Sequence, residues 1–102
     1  MGRRQQLHDI LLEIVGENGY VYFQPPASLT MQYPCIRYER STARTAFADD
    51  VPYRYTKKYT LTVLDQDPDS DIPDKVAALP QCIHNRWYAV NQLNHDVFEL
   101  YY

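Results

Sequence analysis

Tyr53-Arg54-Tyr55-Thr56-Lys57-Lys58-Tyr59-Thr60-Leu61-Thr62-Val63-Leu64 is the stretch on which the fold turns. Successive side chains of an extended chain point to opposite faces. Tyr53, Tyr55, Lys57, Tyr59, Leu61 and Val63 therefore share one side, and Arg54, Thr56, Lys58, Thr60 and Thr62 share the other. A period of two built from aromatic and β-branched residues predicts a half-buried antiparallel strand over 53–64. The side carrying Leu61 and Val63 is the core side.

Working upstream, residues 41–52 have no period and contain Ala43, Ala46, Ala48, Asp49 and Asp50, which reads as a long hairpin loop. Cys35 to Arg40 alternates as another strand, with Ile36 and Tyr38 on one face and Arg37 and Glu39 on the other. Tyr20 to Phe23 is a short strand closed by Pro25-Pro26. Over 4–15, Leu7, Ile10, Leu11, Ile14 and Val15 recur at helical spacing, and Gly16 with Asn18-Gly19 stops the helix. Downstream, Asp65 to Asp69 turn the chain. Ser70 or Asp71 caps a short helix with Ile72, Val76 and Leu79, tolerating Pro73 in its first turn and ending at Pro80. Residues 82–88 and 95–102 read as two last strands joined around Asn91 to Asn94.

The order is helix, three strands, helix, two strands. It predicts an α+β fold, a small two-layer sandwich whose mostly antiparallel sheet of about five strands carries two helices on one face. One domain spans 1–102, as its length suggests. The expected core is Leu7, Leu11, Ile14, Ile36, Tyr59, Leu61, Val63, Val76 and Leu79, and the chain should stay structured to its end through Phe98, Leu100 and Tyr102.

Ten tyrosines stand against three phenylalanines and one tryptophan, a balance that suits half-buried sheet faces and protein interfaces. A net charge of −3 argues against a dedicated nucleic-acid binder and against an anionic membrane surface. No apolar run approaches the roughly 18 residues that span a bilayer. Met1-Gly2-Arg3-Arg4 is followed by an amphipathic segment with His8, Asp9 and Glu13, which does not read as a signal peptide. Cys35 and Cys82 are accordingly expected as reduced thiols in a cytosol.

Three groupings could carry chemistry. Asp65, Asp67 and Asp69 begin like a calcium loop, but Ser70 stands where that loop needs glycine and Val76 where it needs a bidentate glutamate. A solvated turn complementing the next helix is the better reading. Cys82, His84 and His95 fall on the last two strands, without the tight paired spacing of most structural zinc sites. Arg37, Arg40, Arg44, Arg54, Lys57 and Lys58 interleave with Tyr38, Tyr53, Tyr55 and Tyr59, as in single-strand nucleic-acid binders, yet Glu39, Asp49 and Asp50 interrupt them. Nucleophilic catalysis needs an oriented base, and His95-Asp96 are strand neighbours pointing apart. No catalytic, cofactor-binding or metal-binding residue is assigned.

Several segments together carry a family resemblance: Arg3-Arg4-Gln5-Gln6-Leu7-His8, Val21-Tyr22-Phe23-Gln24-Pro25-Pro26, Tyr33-Pro34, Lys57-Lys58-Tyr59-Thr60-Leu61-Thr62-Val63, Asp67-Pro68-Asp69-Ser70-Asp71-Ile72-Pro73 and Asn94-His95-Asp96-Val97-Phe98. Through them the chain resembles the short tail terminator (tail-completion) proteins of long-tailed bacteriophages and prophages, particularly those of Gram-positive hosts. The resemblance implies a structural virion protein without catalytic residues or a cofactor. Such a protein forms a hexameric ring at the head-proximal end of the tail, stops polymerisation of the tail tube protein and joins tail to head. Its partners are further copies of itself, the tube protein and the neck connector, with assembly in the host bacterial cytoplasm, no membrane, and DNA only as cargo passing through the lumen. A negative net charge keeps such a lumen from gripping DNA. A neck head–tail connector or stopper of the same phage is the alternative, and a small metal-dependent enzyme built on Cys82, His84 and His95 is the second. For subunit contacts the expectation is an assembly loop over 41–52, mobile in the isolated chain. Arg40, Arg44, Phe47, Asp49, Asp50 and Tyr53 are its candidates, with Phe47 as apolar anchor and Arg44 seeking a carboxylate.

Overall fold

In the computed structural model, which describes residues 3–41, 45–48, 51–55 and 57–102, the first periodic stretch is helix α1 (Arg3–Val15). Leu7, Leu11 and Val15 recur at every fourth position and are buried. Gly16 ends the helix in the left-handed conformation (φ 76°), its N–H donating to the Leu12 carbonyl at 3.1 Å. Gly19 is needed for a different reason: a Cβ there would lie 2.4 Å from that of Val15.

Strand β1 (Tyr20–Phe23) pairs in parallel with β2 (Cys35–Ser41), which residues 24–34 make possible as a crossover. Beyond β2 the chain forms β3 (Thr45–Ala48) and β4 (Val51–Tyr55), then β5 (Lys58–Asp65), helix α2 (Ile72–Ala77), β6 (Cys82–Val90) and β7 (Leu93–Tyr101). Five strands make one sheet in the order β1-β2-β5-β7-β6, antiparallel except at β1–β2. The fold is α+β, as expected.

The phase of the central strand is as its alternation predicts. Tyr59, Leu61 and Val63 face Arg40, Tyr38 and Ile36 of β2 and Leu100, Phe98 and Asp96 of β7. Tyr38, Leu61, Phe98 and Leu100 are buried on one side of the sheet, where α1 contributes Leu7, Leu11 and Val15 and α2 contributes Ile72 and Val76 to the same cluster. Each such side chain gains about 1.5–3 kcal/mol on burial, so this one seam supplies most of the drive to fold. Ile14 and Leu79, expected inside, pack against the cluster while only partly buried.

Two expectations need correction. The strand predicted over 53–64 is two strands, β4 ending at Tyr55 and β5 starting at Lys58, so Tyr53 and Tyr55 do not belong to the main sheet. The stretch 41–52, expected as a patternless loop, contains β3 and the start of β4 paired as a ladder. Alanines and bulged pairing hide the period: the register shifts between Ala46 and Phe47. The last hairpin is also tighter than expected. Asn91 (φ 52°) and Gln92 (φ 63°) make a two-residue turn of the kind whose twist matches its strands, which extends both strands to it. At α2, Asp71 occupies the cap position without a side-chain cap bond, and the Ser70 hydroxyl instead accepts the Ile72 N–H at 3.3 Å.

Candidate subunit interface

Ser41 faces Lys58 at the last rung of β2–β5, and Thr45 faces Tyr55 at the first rung of β3–β4. The same two chain segments therefore pair again beyond the sheet, β2 with β5 and β3 with β4. Among the described residues β3 and β4 pair with each other and join no strand of the main sheet. The result is an arm. The molecule measures 48 × 28 × 25 Å with a radius of gyration of 14.6 Å, against about 13 Å for a compact chain of this size. A lone two-stranded hairpin is marginally stable in water, and among the described residues no third strand joins this one.

The arm's root is fastened by the C-terminus. Tyr102 donates its N–H to the Lys57 carbonyl at 3.0 Å, Tyr101 donates to the Gln81 carbonyl at 3.2 Å, and Lys58 pairs with Glu99 at 3.1 Å. Leu100 between them is buried, so the last strand is structural to its end. Of the residues singled out for contacts, Arg40 is exposed at the root, where its backbone N–H donates to Gln24 Oε1 at 3.3 Å. Phe47 lies in β3 opposite Pro52, and Tyr53 lies in β4. Arg44, Asp49 and Asp50 lie outside the described residues.

The groupings with catalytic or metal potential are dispersed. Cys82 and His84 stand opposite Leu100 and Phe98 on the helix side of the sheet, whereas His95 is on the other side. His84 lies edge-on to Phe98 with its Nε2 3.2 Å from Asp96 Oδ1, and His95 stacks on Tyr88 with centroids 4.6 Å apart. The acidic loop spends its carboxylates on itself: Asp65 Oδ1 accepts the Asp67 N–H and Asp67 Oδ1 accepts the Asp69 N–H, each at 2.9 Å. Asp71 pairs with Lys75 at 3.4 Å. Burial, reinforced by Asp65 and opposed by Arg37, pushes the Cys35 thiol up to about 12. Burial also raises Cys82. Neither thiol has the depressed pKa of a nucleophile.

A polar chain on α1 was not legible beforehand. Tyr38 is fully buried, with its hydroxyl 3.3 Å from Arg4 Nη1 and 2.7 Å from His8 Nδ1. Arginine only donates, so the hydroxyl accepts from Arg4 and passes its own proton toward His8 Nδ1, which must be unprotonated to receive it. Burial first, and Arg4 second, hold the His8 pKa below its ordinary value, against a smaller opposite pull from Asp9. Burial raises the Tyr38 pKa. Arg4 also lies 4.4 Å over the Phe23 ring, a use for a cation whose place in the first helical turn is electrostatically unfavourable. Arg4 and His8 are one helical turn apart beside Leu7 and Leu11, and that spacing was the available signal.

The strand expected over 82–88 is β6 (Cys82–Val90), and what sequence reading missed is its exposure. Ile83, Trp87, Tyr88 and Val90 are exposed along it. No protein-family model matches this chain, and a search of characterised proteins finds no significant match.

Proposed function

We propose that this chain is a structural ring protein of a bacteriophage tail, acting as the terminator that caps the head-proximal end of the tail tube and joins it to the neck. The observation that carries the reading is the β3–β4 arm, which among the described residues joins no strand of the main sheet. Its fastened root fits an element that must transmit contacts between subunits. The family resemblance of the segments quoted above supplies the phage context, and the ring, probed below, supplies the arm with the surface it lacks. A stopper at the neck would use the same arm; electron microscopy separates the two, since a terminator stays on isolated tails and a stopper on DNA-filled heads.

The test is the double variant Arg44→Glu with Phe47→Asp. Its melting should stay within a few degrees of the parent, because among the described residues β3 joins no strand of the main sheet. Light scattering should report loss of the ring, and tails assembled with the variant should run past normal length or fail to join heads. Normal rings on normal tails would remove the arm from the interface.

A further inference from the structure

Strand β6 closes one end of the sheet order, so one of its sides presents backbone N–H and C=O groups to no strand among the described residues. It is nine residues long and exposed at every position after Cys82. Ile83 is 62% exposed, Trp87 57% and Val90 50%. Edge strands are ordinarily kept from pairing with other chains by being short, by lysine or by proline. β6 has neither residue, and its one irregularity, between His84 and Arg86, leaves 86–90 in regular register. It carries Arg86 and His84 and no carboxylate.

The arm has the complementary properties. It is two strands without a sheet, and between Thr45 and Tyr55 the chain carries Asp49 and Asp50 against Arg54 alone. Its two strands differ in a way that sets the orientation. β4 contains Pro52, which has no N–H and is suited to an outer edge, whereas β3 has no proline.

We propose that β3 of one copy pairs with the free edge of β6 of the next, so that the arm extends its neighbour's sheet and β4 becomes the new, proline-guarded edge. The proposal rests on the ring reading above and adds its receptor surface. Joining two different surfaces is a heterologous contact, which closes into a ring when the rotation permits. Backbone bonds supply affinity in such strand addition and the exposed side chains beside the edge supply selectivity. Pairing β6 with β6 instead would gather Arg86 and His84 of both copies in one strip with no acid on either strand.

Two experiments on the full chain decide it. Ala46→Cys and Val90→Cys proteins, mixed in assembled rings and treated with a short bis-maleimide, should give a crosslinked dimer containing one of each; wild type mixed with each variant is the control. Separately, Ile83→Lys with Val90→Lys should melt like the parent, since both positions are exposed, yet run as a monomer by light scattering. Crosslinks between two Val90→Cys chains and none to Ala46→Cys would overturn the proposal in favour of edge-to-edge β6 pairing. Rings of normal mass from the lysine variant would overturn it while leaving the ring reading intact. A parent protein that stays monomeric at all concentrations would overturn both.

Discussion

Strands β5 and β6 flank the same strand, β7, and have opposite fates. On β5, Tyr59, Leu61 and Val63 are buried in alternation with half-exposed Thr60 and Thr62. On β6, Cys82 alone turns into the core, and the eight residues after it are exposed. Both strands have aromatic and β-branched residues, so propensity does not separate them. Position does: β5 has strands on both sides and helices above, whereas β6 has one strand neighbour among the described residues and a helix layer that reaches its first residues. Apolar side chains at a sheet's centre report stability, and apolar side chains along its open edge report what it binds.

That contrast can be broken in graded ways. Deleting 99–102 should have the largest effect, since it removes buried Leu100, the Glu99 partner of Lys58 and the Tyr102 bond to the arm's root. Urea unfolding followed by circular dichroism should lose its cooperative transition; a truncated chain that melts and assembles like the parent would show that β7 ends functionally before Glu99. Leu61→Ala should come next, at about 2–5 kcal/mol by chemical denaturation, the range for truncating a fully buried leucine. A loss below about 1 kcal/mol would mean that this site collapses around the cavity far better than such sites do.

Tyr38→Phe should cost about 1–3 kcal/mol, because it strips the partner from His8 Nδ1 and Arg4 in a partly desolvated place. The same chain predicts a pH effect. The folded His8 pKa is depressed below its unfolded value of about 6.5, so the unfolded state takes up the proton first as pH falls. Stability from this group is complete above that value, and declines as pH drops through the folded pKa. Denaturation midpoints measured between pH 8 and pH 5 should fall for the parent and flatten in that window for His8→Gln. The smallest effect belongs to the edge: Ile83→Ser should change stability by no more than about 0.5 kcal/mol, as exposed positions do. If Ile83→Ser unfolds the monomer, β6 is part of the core and the contrast with β5 disappears.

The sequence by itself determined the parts whose burial is periodic. Leu7, Leu11 and Val15 at helical spacing, Ile36 and Tyr38, and Tyr59, Leu61 and Val63 at strand spacing made α1, β2 and β5 legible with the right faces inward, because a one-residue slip would bury Thr60 and Thr62 instead. The α+β class followed from their order. Tertiary structure alone decided three things. It split the 53–64 pattern into β4 and β5: Lys57 is the one charged residue on the face of Tyr53, Tyr55, Tyr59, Leu61 and Val63, and a single lysine in that phase does not by itself tell that the ladder leaves the sheet there. It set Arg4 and His8 of α1 on the hydroxyl of Tyr38, 34 and 30 residues away, a contact that no periodicity encodes. And it put β6 at an edge and β5 at the centre, because strand order is fixed by how two helices and a crossover close over one face, and the alternation within a strand carries no record of its neighbours.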